Sequence, residues 1–85
     1  MKIKVLYFAG LREQVGSRGE DLEIPSQVTT VAGLRSLLQA RGGAWQSALA
    51  QGKAVRIAVN QEMAAPTTPV GPGDEVAFFP PVTGG

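Results

Sequence analysis

An α+β fold is predicted, with one mixed sheet and a main helix laid across one of its faces. Three observations carry that prediction. Apolar residues alternate with period two in two segments far apart in the chain, Lys2 to Ala9 and Glu75 to Phe79. Between them, Val31, Leu34, Leu37 and Leu38 fall on one face of a helix. The remaining strand-like pieces place a hairpin on each side of that helix, and such a pattern packs as helix on sheet.

In the first segment Ile3, Val5 and Tyr7 share one face, and Lys2, Lys4, Leu6 and Phe8 share the other. Gly10 ends the strand. Leu11 to Val15 has room for about one helical turn before the loop-like stretch Gly16 to Gly19. Leu22-Glu23-Ile24 reads as a short second strand closed by Pro25. Thr29 and Thr30 are N-cap candidates for the main helix. Arg41 falls in its expected last turn, where a cation suits the helix dipole, and Gly42-Gly43 supplies the stop. Ala44 to Ala50 suggests a second short helix, with Trp45 and Leu49 spaced i, i+4.

Val55, Ile57 and Val59 then alternate with Arg56, Ala58 and Asn60 in a third strand, followed by an Asn60-Gln61 turn and a short edge strand, Glu62-Met63-Ala64. Ala65 to Gly73 is irregular and holds three prolines, and Pro72-Gly73 fits a type II turn. In the last strand Val76 and Phe78 face the helix while Ala77 and Phe79 face away. Pro80-Pro81 forbids further ladder pairing. The order β, β, α, β, short β, β gives a β-grasp sheet of four to five strands, with the first and last strands central and parallel. Residues 1–80 form this domain, and 81–85 form a flexible tail ending in Gly84-Gly85.

The chain has 85 residues, 44% of them hydrophobic, with eight Lys and Arg against seven Asp and Glu. A formal charge of +1 gives no strong pull toward nucleic acid or an anionic membrane. No apolar run approaches the roughly 20 residues that span a bilayer, nor does the start read as a signal peptide, so a cytoplasmic protein is expected. There is no Cys and no His, which removes disulfides, Cys/His metal sites, thiol nucleophiles and imidazole acid–base chemistry. No metal site is expected. Walker and dinucleotide glycine patterns are also missing. Glu20-Asp21 and Asp74-Glu75 sit at strand starts and read as solvated turn acids.

One feature remains for chemistry. A tail leaving a central strand through a rigid Pro-Pro reaches roughly 20 Å from Pro80 to Gly85. Glycine has no Cβ, so a narrow channel can close around it and its carbonyl is open to attack. The α-carboxylate of Gly85 is an anion at neutral pH. It is a poor electrophile until ATP converts it to an acyl-adenylate, which sulfur or an amine then captures. That chemistry needs no catalytic side chain on the carrier.

These residues resemble a known family. Gly73-Asp74-Glu75-Val76-Ala77-Phe78-Phe79-Pro80-Pro81-Val82-Thr83-Gly84-Gly85 looks like the C-terminal signature of the small, sulfur-carrying subunit of molybdopterin synthase, a ubiquitin-like β-grasp family. Val5 to Ala9 followed by Leu11-Arg12-Glu13, Leu34-Arg35, Trp45 and Val59-Asn60-Gln61 support the likeness, while Ala65 to Pro72 is richer in proline than the family pattern. The resemblance implies that a ubiquitin-activating-like adenylyltransferase adenylates Gly85 with ATP and Mg²⁺. A sulfur donor enzyme then makes the C-terminal thiocarboxylate (1-thioglycine). It further implies a heterotetramer with the large synthase subunit, which uses that sulfur on cyclic pyranopterin monophosphate. No cofactor is held stably by the carrier itself.

Strand alternation adds a docking surface. Leu6, Phe8 and Phe79 point away from the helix, and Met63 extends the patch with a pliable side chain. Pro80, Pro81, Val82 and Thr83 lead from that patch to Gly84 and Gly85. Trp45, Leu34, Leu37 and Leu38 read as core, and Arg12 suits either the partner or plain solvent. Other readings of the same Gly-Gly end are a sulfur carrier for thiamine or tRNA thiolation and a ubiquitin-like protein modifier. A β-grasp binding module with a meaningless tail is a third.

Overall fold

The computed structural model describes residues 1–81. The elements run β1 (Lys2–Tyr7), α1 (Ala9–Val15), β2 (Gly19–Glu23), α2 (Val31–Gln39), α3 (Gly43–Ala48), β3 (Arg56–Val59), β4 (Glu62–Met63) and β5 (Glu75–Phe79). They build one five-stranded sheet in the order β2-β1-β5-β3-β4. β1 and β5 pair in parallel, with Val5 opposite Val76 and Tyr7 opposite Phe78, and the remaining pairs are antiparallel. The expected β-grasp sheet, with its central parallel pair, is therefore present.

Alternation determines which residues reach the core. Ile3, Val5 and Tyr7 of β1, Val76 and Phe78 of β5, and Ile57 of β3 are all buried on one face of the sheet. Val31, Leu34 and Leu38 of α2 pack on that face, together with Leu11 of α1 and with Ala48 and Leu49 at the end of α3. Leu37 and Trp45 pack against the same cluster at its margin. Thr30 caps α2, its side-chain oxygen accepting from the Gly33 N–H at 3.2 Å. Pro72 and Gly73 occupy the centre of a turn in which the Asp74 N–H donates to the Gly71 carbonyl, with Gly73 at φ 82°. This is the left-handed position that a type II turn reserves for glycine.

Four local expectations are corrected. β1 stops at Tyr7 rather than Ala9, because Ala9 takes φ 52° and turns the chain out of the sheet. A left-handed alanine costs about 1–2 kcal/mol, a local cost that alternation cannot reveal. Leu11 to Val15 belongs to a helix that starts at Ala9 and ends on Gly16 in the αL conformation, whose N–H donates to the Arg12 carbonyl at 2.9 Å. β2 begins at Gly19, three residues before the expected start, because its pairing with β1 runs from Lys2–Glu23 to Leu6–Gly19. Finally, α2 ends at Gln39, so Arg41 lies beyond it and does not serve its last turn.

Candidate functional site

The helices cover one face of the sheet, and the opposite face carries the predicted patch. Register places Gly19, Leu6, Ala77, Ala58 and Met63 in a single row across all five strands. Four of these side chains are apolar and the fifth is absent. A Cβ on Gly19 would stand 2.7 Å from the Val5 carbonyl oxygen and 2.8 Å from Leu6 Cδ2, so the leucine lies across the space that glycine leaves free. One step further along the strands, Phe79 stands opposite Arg56. Phe8 flanks β5 there too, its N–H donating to the Phe78 carbonyl at 3.0 Å while its own backbone remains extended.

The predicted contact residues are accessible to different degrees. Phe8 is 46% exposed and Met63 59%, while Leu6, Phe79, Pro80 and Pro81 are half-buried. Phe78, the neighbour of Phe79 on the other face, is wholly buried. The outward register of Leu6 and Phe79 is therefore the expected one. β5 delivers the chain from this face into Pro80-Pro81, at the centre of the sheet rather than its edge. Val82, Thr83, Gly84 and Gly85 lie outside the described residues.

Behind the patch, polar contacts hold the start of β5. Asn60 and Gln61 both have positive φ, 50° and 69°, in the tight turn between β3 and β4. The Asn60 amide group donates to Asp74 Oδ1 at 3.0 Å, and its carbonyl oxygen accepts the Glu75 N–H at 3.0 Å. Asp74 Oδ2 also accepts the Gly71 N–H at 2.7 Å. The turn role expected of Asp74 is thus present, and it is joined to the loop that begins the tail-bearing strand.

Sequence reasoning missed a second cluster on the helix side. Glu20 is not a solvated turn acid. It lies within β2, and both its carboxylate oxygens accept from Arg41 at 2.8 Å. Tyr7 donates to the same carboxylate at 3.2 Å. The Arg41 guanidinium lies 4.6 Å from the centre of the Trp45 ring, which meets Tyr7 edge to face at 5.1 Å. Tyr7 in turn stacks on Phe78, with ring centroids 6.1 Å apart. The hydrogen bond from Arg41 holds the Glu20 carboxyl below the usual range. Burial, with Glu20 beside it, raises the Tyr7 phenol, so Tyr7 is a neutral donor at physiological pH. The cluster ties the α2–α3 junction to β1 and β2.

Arg35, one of the residues that carried the resemblance, has a comparable structural task. Its guanidinium donates to the carbonyls of Leu49, Ala50 and Lys53 at 2.9, 2.7 and 3.1 Å, and so closes the end of α3. The open depression between α2 and α3 has a volume of about 400 Å³. Ser36, Gln39, Ala40, Gly42 and Gln46 line it, and none of these supplies an acid or base.

A five-stranded β-grasp sheet with its helices on one face and its last strand at the centre is the ubiquitin-like fold. The chain belongs to the ThiS family, whose profile matches residues 5–85. It is 47% identical over 83 residues to the molybdopterin synthase sulfur carrier subunit of Escherichia coli strain K12, a match covering 98% of this chain and 99% of that one. The protein of the same name from Haemophilus influenzae is 39% identical, with the same coverage. Among solved structures, the small archaeal modifier protein 1 of Haloferax volcanii superposes with a TM-score of 0.74 at 27% identity, covering 95% of this chain and 98% of that chain.

Proposed function

We propose that the chain is the sulfur-carrier small subunit of a molybdopterin synthase, with its chemistry at the C-terminal carboxylate of Gly85. The observation that carries this reading is the exit of β5 from an uncovered apolar face straight into Pro80-Pro81. A body built this way docks through its face and offers its tail to a pocket on the partner. Two relatives named as sulfur carriers match almost end to end, and the family profile extends through Gly84 and Gly85.

Residues 1–80 serve as the docking body and 81–85 as the presented segment. A carboxylate oxygen of Gly85 attacks the α-phosphorus of ATP in a ubiquitin-activating-like adenylyltransferase, and pyrophosphate leaves. A donor enzyme's sulfur, at the sulfide level, displaces AMP and leaves a thiocarboxylate. The large synthase subunit then receives Gly84 and Gly85, the thiocarboxylate sulfur displaces an oxygen substituent from the side chain of the pterin precursor, and water cleaves the resulting acyl–sulfur bond, leaving sulfur on the pterin and returning Gly85 as a carboxylate. Two such transfers make a dithiolene. ATP and Mg²⁺ belong to the activating enzyme and the pterin to the large subunit, so the carrier contributes a reacting group and a docking face to the sulfurtransferase. Leu6, Phe8, Met63 and Phe79 make the contact, and Pro80, Pro81, Val82 and Thr83 line the approach. The proposed setting is the cytoplasm. No helix among the described residues is long and apolar enough to cross a membrane.

Incubation with the activating enzyme, ATP and a sulfur source is expected to raise the intact mass by the difference between sulfur and oxygen. An unchanged mass, under conditions that load a known carrier, would refute the proposal. Removing Gly85, or adding residues after it, is expected to abolish loading while leaving the circular dichroism spectrum unchanged. The likeness to an archaeal modifier protein favours a second reading, in which Gly85 forms isopeptide bonds with lysines. Lysine-linked conjugates that form without any thiocarboxylate would select that reading.

A further inference from the structure

The charges on the uncovered face are not evenly compensated, and the uneven one stands at the root of the tail. Lys4 has an acid across each ladder, Asp21 on β2 and Glu75 on β5. Lys4 therefore has acids as its cross-strand neighbours on both sides, although no ion pair among the described residues includes it. Arg56 shares the same face but has no such neighbour. Its partner on β5 is Phe79. The β3–β4 ladder spans only Ala58–Met63 and Val59–Glu62, so no β4 residue stands opposite it. The next residue of β3 on this face is Ala58. Arg56 is exposed, and among the described residues the ion pairs belong to Arg41 and the N-terminus instead.

From this we infer that Arg56 is a specificity determinant of the docking face, fitting a partner that sets a carboxylate beside the apolar surface covering Phe79. The inference rests on the docking reading above and names the partner surface as that of the large synthase subunit. Covering Phe79 with an apolar surface alone would bring Arg56 out of water with no counter-charge, a costly arrangement. A carboxylate at that point removes the cost. Charges at the margin of an apolar contact act chiefly on encounter rate and on the rejection of wrong partners. A lone cation beside the exiting chain therefore also sets the orientation in which the tail approaches its pocket.

The test is association of the full-length chain with its large subunit, followed by stopped-flow fluorescence across a range of salt concentrations. Arg56→Glu is expected to slow association roughly three- to tenfold at low salt, and the gap should shrink as salt rises. Arg56→Gln should fall between. Both variants should keep the wild-type melting temperature, because the side chain is exposed. Phe79→Asp separates the two levels of the argument. If Arg56→Glu associates like the wild type while Phe79→Asp fails to bind, the carboxylate inference is overturned and the docking face stands. If neither change alters binding, the docking face itself is refuted. Faster association of Arg56→Glu would also overturn the inference, because it would mark a basic partner surface.

Discussion

The two faces of this sheet are made by the same strands, one residue apart, yet they do opposite work. On β5, Val76 and Phe78 are wholly buried beneath the helices, while Ala77 and Phe79 look out from the bare side. On β1, Val5 and Tyr7 are sealed and Leu6 is half-buried. Both faces are apolar near the tail, so hydrophobicity alone does not separate them. Coverage does: α1, α2 and α3 all contribute to a single core, on the inner side. The inner residues stabilise the body, whereas the outer ones leave apolar surface that no helix covers.

That division can be broken most forcefully at Phe78. Phe78→Ala empties a fully buried site stacked on Tyr7, and chemical denaturation should show a loss of about 3–5 kcal/mol. Gly19→Ala comes next, because its new methyl meets the Val5 carbonyl and Leu6 at once. A loss of about 1–3 kcal/mol is expected, together with displaced Leu6 methyl resonances in NMR spectra. Phe79→Asp should cost about 1 kcal/mol or less in the same denaturation experiment, yet remove most of the affinity for the large subunit. A loss as large as that of Phe78→Ala would show that Phe79 belongs to the core.

The smallest effect is expected from Glu20. Its carboxyl is held below the usual range by Arg41, so it contributes stability above the unfolded-state value, and that contribution disappears as pH falls through the lowered folded-state value. Glu20→Gln should therefore be less stable than the wild type near neutral pH, within the ~0.2–1 kcal/mol typical of partly exposed pairs. The gap should close below about pH 4. Thermal melts of both proteins between acid and neutral pH test this, and a gap independent of pH would show that the ion pair is not its source.

Legibility in the sequence followed the range of the signal. Alternation in Lys2 to Tyr7 and Glu75 to Phe79 is local, and it identified both central strands and their inward faces. The cap at Thr30 and the turn at Pro72-Gly73 were equally readable, because each depends on two or three adjacent residues. Glu20 was misread because its partners, Tyr7 and Arg41, are 13 and 21 residues away in sequence. Arg41 was misread for the same reason, since its expected role in a helix end gave way to a bidentate pair and a tryptophan face. The departure of the chain from the sheet at Ala9 rests on a left-handed alanine, which tertiary packing imposes and residue type does not announce. The outward placement of Leu6, Phe8 and Phe79 was legible by alternation, whereas the isolation of Arg56 required the register of three strands.

The parallel pairing of β1 and β5 has a mechanical consequence. The chain enters at the start of one strand and leaves at the end of its immediate neighbour, so tension between the termini loads their shared ladder in shear. All its hydrogen bonds resist together, and β3 grips the other side of β5. In the proposed cycle the tail is withdrawn from its partner after each delivery, and this layout suits the body to that load. Single-molecule pulling should show a higher rupture force through the two termini than through Met63 and Gly85, a geometry that peels β4 from the edge one bond at a time.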